Sequence, residues 1–170
     1  MWDSDDYDRP SNWTDVAQIC LNGDVINDST KEQPQLSKKF CPKCGEQTIT
    51  TCLNCNKNIA GEIHYSNVFG AHEFKRPSFC IECGKPYPWT TKKLAVVKEL
   101  TSELKEISHE DKVTLNKSLE DITKDDTGAE VGAIRIKKIM SKVTGTAGEI
   151  TQKVIVEIAS ETAKKILLGK

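Results

Sequence analysis

The chain has 170 residues, with 24 basic residues against 25 acidic ones, 37% hydrophobic and 6% aromatic residues. That length suits one or two small domains, and the balanced charge excludes a protein held to nucleic acid by bulk electrostatics. No apolar run reaches the length of a membrane span, and the composition gives only a modest core.

Residues 1–15 read as an acidic aromatic tail, with Asp3, Asp5, Asp6, Asp8 and Asp15 against Arg9, and Trp2, Tyr7 and Trp13 interleaved. The opening MWDSDDYDRP carries no hydrophobic signal segment, which predicts a cytoplasmic protein. Residues 16–27, VAQICLNGDVIN, alternate and carry β-branched residues. They predict a strand, a knuckle at Cys20–Gly23, and a returning strand around Val25–Ile26. A polar loop, 28–38, leads to Phe40 and the pair Cys41/Cys44, and Gln47–Thr51 reads as a short strand before the pair Cys52/Cys55. Residues 62–69 and 71–79 read as a hairpin turning at Gly70, which delivers the chain to Cys80/Cys83.

The three Cys-x-x-Cys pairs organise this half. Two intervening residues let both sulfurs of a tight turn face one point, as a tetrahedral metal requires. Gly45 and Gly84 follow two of the pairs, where glycine accepts positive φ and turns backbone amides toward the thiolates. Disulfides do not persist in a reducing compartment, an odd count of 7 cysteines leaves one over, and none of the pairs opens a helix after an apolar strand as a redox pair would. Zn²⁺ is therefore preferred to disulfide, redox or iron–sulfur chemistry. Sequential pairing predicts two sites, one joining the Cys20 knuckle to Cys41 and Cys44, the other joining Cys52 and Cys55 to Cys80 and Cys83. Each then has its own hairpin, and Phe40 and Phe79 precede the second knuckle of each in the same way. The competing arrangement joins Cys41/Cys44 to Cys52/Cys55 and leaves Cys80/Cys83 with Cys20 and a histidine.

The order ICLNGD, FCPKCGEQTI, CLNCNKNI, FCIECGKPY, followed by PYPWT, resembles a bacterial family of unknown function that carries a tandem zinc ribbon ahead of a helical tail. The likeness covers roughly residues 14–91. It implies a fold and no particular chemistry. It also implies a histidine four residues after Cys20, where this chain has Asp24. A carboxylate oxygen can complete a zinc tetrahedron, which makes Asp24 the expected fourth ligand of the first site. Water, His64 or His72 are the other ways of closing it.

PYPWTTKK marks the end of the ribbon region, with Thr90 as the expected N-cap of the next helix and Trp89 stapled onto its first turn. Leu94, Val97, Leu100, Leu104 and Ile107 form one helical stripe. Ser108 and Asp111 then form a capping-box-like restart, and Leu115, Leu119 and Ile122 line a second helix. Two more helices, divided near Thr144–Gly148, carry Ile136, Ile139, Met140 and Val143, then Ile150, Val154, Ile155, Ile158, Ala159, Ala163, Ile166 and Leu167. From residue 128 onward eight basic residues stand against four acids, which suits an anionic lipid surface or head-to-tail contact with the acidic N-terminus.

The expected architecture is a small, metal-bound α+β fold: a tail over 1–15, a tandem zinc-ribbon domain of short β-hairpins over 16–89, and a helical domain of about four helices over 90–170. Within that last domain the expectation is a helical hairpin over 90–124 and a helix pair over 128–168. The sequence shows no nucleophile–base pair, phosphate-cradling glycine loop or paired acid/base constellation. The expected function is a non-enzymatic zinc-binding interaction or adaptor protein. Its ribbons act as scaffold, and its C-terminal amphipathic helices bind a protein partner or a second copy. The alternatives are nucleic-acid binding, through Lys38, Lys39, Lys43, Lys75, Arg76, Lys92 and Lys93, and a membrane-surface effector acting through the C-terminal helices.

Overall fold

In the computed structural model of the chain, residues 12–65 and 74–169 are described. The fold is α+β, with short antiparallel strands and, among the described residues, five α-helices. Two compact units divide between Trp89 and Thr90.

The first unit begins with strand β1, Asn12–Val16, paired antiparallel with β5, Ala60–Tyr65. Residues 12–15 are therefore not part of an acidic tail, as their composition suggests. The reason is Asp15. The register slips between Thr14 and Val16, and the Asp15 side chain turns inward. Its carboxylate accepts hydrogen bonds from the amides of Val16 at 2.6 Å, Lys31 at 2.9 Å and Glu32 at 3.1 Å. A buried carboxylate is tolerable when backbone donors replace its lost water. Here those donors also fix the loop that follows the first knuckle. Of the strand read over 62–69, residues 62–65 belong to β5, whose partner is β1, and residues 66–69 lie outside the described residues. The proposed turn at Gly70 lies outside the described residues.

A second small sheet has the order β3-β2-β4, with β2 at Gln18–Cys20, β3 at Val25–Asn27 and β4 at Thr48–Ile49. Ile19 sits opposite Val25 on one side and Ile49 on the other. Ala17, Ile19, Ile59, Tyr87 and Trp89 are buried with Cys52 and Cys80 in one apolar cluster. Trp89 does not staple onto a helical turn. It stacks on Tyr87 at 4.6 Å between ring centroids, and its indole Nε1 donates to the Pro77 carbonyl at 2.8 Å.

Helix α1 runs from Pro88 to Glu103, starting two residues before Thr90, the expected cap. Proline at the start of a helix costs nothing, because the first amides have no partner within the helix. In the second unit α2 spans His109–Asp121 and is capped by Ser108, which accepts from the Asp111 amide at 3.1 Å. α3 spans Thr127–Met140 and is capped by Asp126, which accepts from the amides of Gly128 at 2.8 Å and Ala129 at 3.2 Å.

The expected fourth helix is two. α4, Gly145–Ile158, ends at Ala159, and α5 begins at Glu161 and runs to Leu168. Ser160 makes the break: its hydroxyl caps α5 at the Ala163 amide, and its own amide donates to the Ile122 carbonyl at 2.7 Å. The break lets α5 pack on α3, and α3 packs on α2 as well, so α3 is the hub of the unit. The Lys137 ammonium meets the Ile166 carbonyl at the end of α5 at 3.1 Å. Val97, Leu104, Ile107, Leu115, Leu119, Ile122, Ile136, Ile139, Ile155, Ala163 and Leu167 close a common core. No helix among the described residues is long and apolar enough to cross a membrane.

Candidate metal centres

Each cysteine pair is held by the same backbone device. The Cys41 amide donates to the Glu46 carbonyl and the Gly45 amide to the Cys41 carbonyl; the corresponding bonds join Cys52 with Lys57 and Asn56, and Cys80 with Lys85 and Gly84. The residue before each pair bridges the residue six places after its first cysteine: Phe40 to Gln47, Thr51 to Asn58, Phe79 to Pro86. The tight reversal needs a left-handed residue after the second cysteine. Gly45 (φ 71°), Gly84 (φ 68°) and Asn56 (φ 58°) supply it, and asparagine is the side chain that tolerates that region best.

Cys20 opens a variant of the same turn. Its amide donates to the Asp24 carbonyl at 2.9 Å, and the Gly23 amide returns to the Cys20 carbonyl at 2.8 Å. Gly23, at φ 96°, stands where a second cysteine would be. A Cβ there would fall on the Arg76 guanidinium and within 2.8 Å of Trp89 Cβ. The fourth donor therefore comes from the next residue, Asp24.

The eight residues singled out in the sequence lie in two groups, Cys52, Cys55, Cys80 and Cys83 in one, and Cys20, Asp24, Cys41 and Cys44 in the other, with donor atoms within 4.8 Å of one another in each. Bonds of about 2.3 Å to sulfur and about 2.0 Å to oxygen give tetrahedral edges of about 3.8 Å between sulfurs and about 3.5 Å between sulfur and oxygen. In the all-cysteine group Cys52 and Cys83 are 3.9 Å apart and Cys55 and Cys80 3.7 Å. In the other, Cys20 and Cys44 are 3.9 Å apart, and Asp24 Oδ2 lies 3.6 Å from Cys20 Sγ and 3.5 Å from Cys41 Sγ. Both donor sets fit a tetrahedral divalent ion. His64 belongs to neither. Its ring stacks on Trp13 at 4.3 Å, with Nε2 3.5 Å from Asp15. His72 lies outside the described residues.

The electrostatics differ between the groups. The Lys57 amide draws the Cys55 thiol down, but desolvation and the thiols of Cys83, Cys80 and Cys52 outweigh it and push it up to about 12. Burial raises Cys80, yet the amides of Cys83 and Glu82, the Cys55 thiol and the Tyr87 hydroxyl bring it down to about 6. In the other group the Lys43 ammonium, 3.1 Å from Asp24 Oδ1, holds the Asp24 carboxyl below its usual range. Lys43 takes one carboxylate oxygen and leaves Oδ2 facing the thiols. The Glu46 amide and the Asn22 side chain lower Cys44, which is exposed, whereas burial raises Cys20.

Two residues of these centres escaped the sequence reading. Asn22 Nδ2 lies 3.4 Å from Cys44 Sγ, and Asn54 Nδ2 lies 3.5 Å from Cys83 Sγ. The signal was present, because Cys20-Leu21-Asn22 and Cys52-Leu53-Asn54 repeat the same tripeptide. Two of the cations considered for a nucleic-acid patch are engaged here: Lys43 on Asp24, and Arg76 on the Gly23 carbonyl and over the Trp89 ring.

Fold and donor sets together define a small α+β protein with two four-residue clusters of tetrahedral metal-binding geometry. The family model DUF2321, described as an uncharacterized protein conserved in bacteria, matches residues 13–167, and the chain belongs to this family. No curated protein and no solved structure matches it.

Proposed function

We propose that the chain is a non-enzymatic zinc-binding adaptor, with two structural zinc ions holding a rigid ribbon unit that presents its surface to a protein partner. The observation that carries this reading is that the protein supplies four donors to each cluster. A structural zinc site is closed in this way, whereas a catalytic one keeps a position for water or substrate. Zinc suits the donors because thiolates select soft or borderline ions and the spacing is tetrahedral.

Two regions support the adaptor role. Leu53 and Ile81, each following the first cysteine of its knuckle, are 61% and 73% exposed. On the helical unit most apolar residues of α3, α4 and α5 lie in the core, although Ile150 of the expected α4 stripe is exposed, and the outward side of α3 is the surface we assign to a partner or a second copy. There Val131 and Ile134 are exposed beside Arg135 and Lys138.

The test has two parts. Metal analysis of the purified chain should find two zinc ions; fewer in fully reduced protein would contradict the structural reading. Affinity capture from bacterial extract should then yield a partner that is lost in Leu53→Ser/Ile81→Ser or in Val131→Ser/Ile134→Ser at unchanged zinc content. Capture indifferent to both pairs would remove these surfaces as the interface.

A further inference from the structure

We propose that Arg76 couples the two metal centres, so that an ion bound by Cys52, Cys55, Cys80 and Cys83 raises the affinity of the centre formed by Cys20, Asp24, Cys41 and Cys44. This rests on the reading of both clusters as zinc sites.

The connection is a continuous set of contacts within the first unit. Tyr87 is buried with Cys80 and Cys52 in one apolar cluster. Tyr87 stacks on Trp89, and Trp89 Nε1 grips the Pro77 carbonyl at 2.8 Å. The Arg76 guanidinium lies over the Trp89 ring at 5.9 Å and donates to the Gly23 carbonyl. Gly23 immediately precedes Asp24, the non-cysteine donor of its centre among the described residues.

Both ends depend on the middle. Arg76 and Trp89 sit on the two arms that flank the Cys80/Cys83 knuckle, and those arms are joined by the Phe79–Pro86 bridge and by the Tyr87 amide to the Ser78 carbonyl at 3.0 Å. An ion on Cys80 and Cys83 closes that knuckle and fixes the spacing of its arms. Arg76 is then placed to hold Gly23 in its left-handed conformation, which aims Asp24 at Cys20 and Cys41. The Cys20 turn has no second cysteine of its own, so its shape is the weaker of the two. Arginine suits the task because one planar group can donate to a carbonyl and cover an indole face together; a lysine ammonium cannot do both. Coupling between sites is reciprocal and commonly changes affinity roughly 5- to 150-fold.

The test is a cobalt(II) titration of the reduced, metal-free full chain, in which an all-thiolate centre and a three-thiolate carboxylate centre differ in their visible spectra. The all-cysteine centre should fill first. Cys83→Ser should weaken the Asp24 centre about tenfold, and Arg76→Met should weaken it to a similar degree while the all-cysteine spectrum and affinity stay unchanged. In the combined variant the losses should not add, as expected of residues acting through one path. An unaltered Asp24 centre in Arg76→Met, or losses that add, would overturn the coupling. If Arg76→Met also loses the all-cysteine spectrum, Arg76→Lys decides, since it keeps the charge and loses the planar fork. Absence of any thiolate-to-cobalt charge transfer would overturn the zinc reading and this inference with it; two centres that fill independently would overturn the coupling alone.

Discussion

Asn22 donates from Nδ2 to Cys44 Sγ across 3.4 Å, reaching from the turn that opens one metal centre to the knuckle that closes it. Asn54 makes the same reach to Cys83 at 3.5 Å in the other centre. Each asparagine lies two residues after the first cysteine of its cluster, so the repeated Cys-Leu-Asn places an amide donor on the opposing thiolate in both. Such a bond offsets negative charge on sulfur and orients it. Removing an outer partner of a metal ligand typically costs about 10- to 100-fold in affinity. Asn54→Ala should weaken the all-cysteine centre, and Asn22→Ala the Asp24 centre, each by about tenfold. Chelator competition against cobalt, read separately for the two centres, checks which centre each substitution affects.

Asp24→Ala should reduce the bound zinc from two ions to one after dialysis, because three thiolates are left with an open position. Asp24→His should restore the second ion, since imidazole nitrogen is a good zinc ligand. Lys43→Ala should weaken the same centre less, because it removes only the ammonium beside Oδ1. Metal analysis of the three variants gives the order.

Gly23 and Gly45 both have positive φ, at 96° and 71°, but their surroundings differ. A Cβ at Gly45 meets nothing within 4 Å, whereas one at Gly23 collides with Arg76 and Trp89. Gly45→Ala should carry only the left-handed penalty of about 1–2 kcal/mol and keep both ions. Gly23→Ala should lose the ion at the Asp24 centre and keep the other. Metal content together with thermal unfolding separates the two effects.

Stability of the helical unit should fall at acid pH. The Lys142 ammonium lies 2.8 Å from Asp111, and Lys98 lies 2.6 Å from Glu120; these contacts lower both carboxyls. A carboxylate with a lowered folded-state pKa contributes stability that is present above its unfolded value and is lost as pH falls through the folded one. Denaturant midpoints of the 90–170 unit should therefore drop below the ordinary carboxylate range. Asp111→Asn with Glu120→Gln should flatten that acid limb while lowering the midpoint at neutral pH.

Asp126 holds two amides at the start of α3, the hub helix, and Ser160 holds one at the start of α5. Loss of such a cap costs about 0.5–2 kcal/mol. Asp126→Ala should destabilise the unit more than Ser160→Ala, and Ser160→Thr should be nearly neutral. Urea unfolding followed by circular dichroism measures all three.

The local chemistry of this protein was legible in the order of its residues. Cysteine spacing, the glycine after two of the pairs, and the Ser108 cap all depend on neighbours within a few positions, where backbone geometry leaves few choices. What lay further apart was not. Residues 12–15 look like solvated acid, and only pairing with β5 turns Asp15 inward onto the amides of Val16, Lys31 and Glu32. The apolar run from Ile150 to Leu167 reads as one helix, and only the Ile122 carbonyl, meeting the Ser160 amide, shows why it breaks. Trp89 reads as a helix staple, yet it is buried on Tyr87 beside the cysteines. The sequence by itself determined the knuckles and the cysteines each one carries, because a knuckle is a property of five or six consecutive residues, whereas which knuckles share a donor set is seen in the tertiary structure. Tertiary structure alone decided that Gly23 faces Arg76 and Trp89, from segments more than 50 residues away, because close packing is set by which surfaces meet and no local periodicity encodes it.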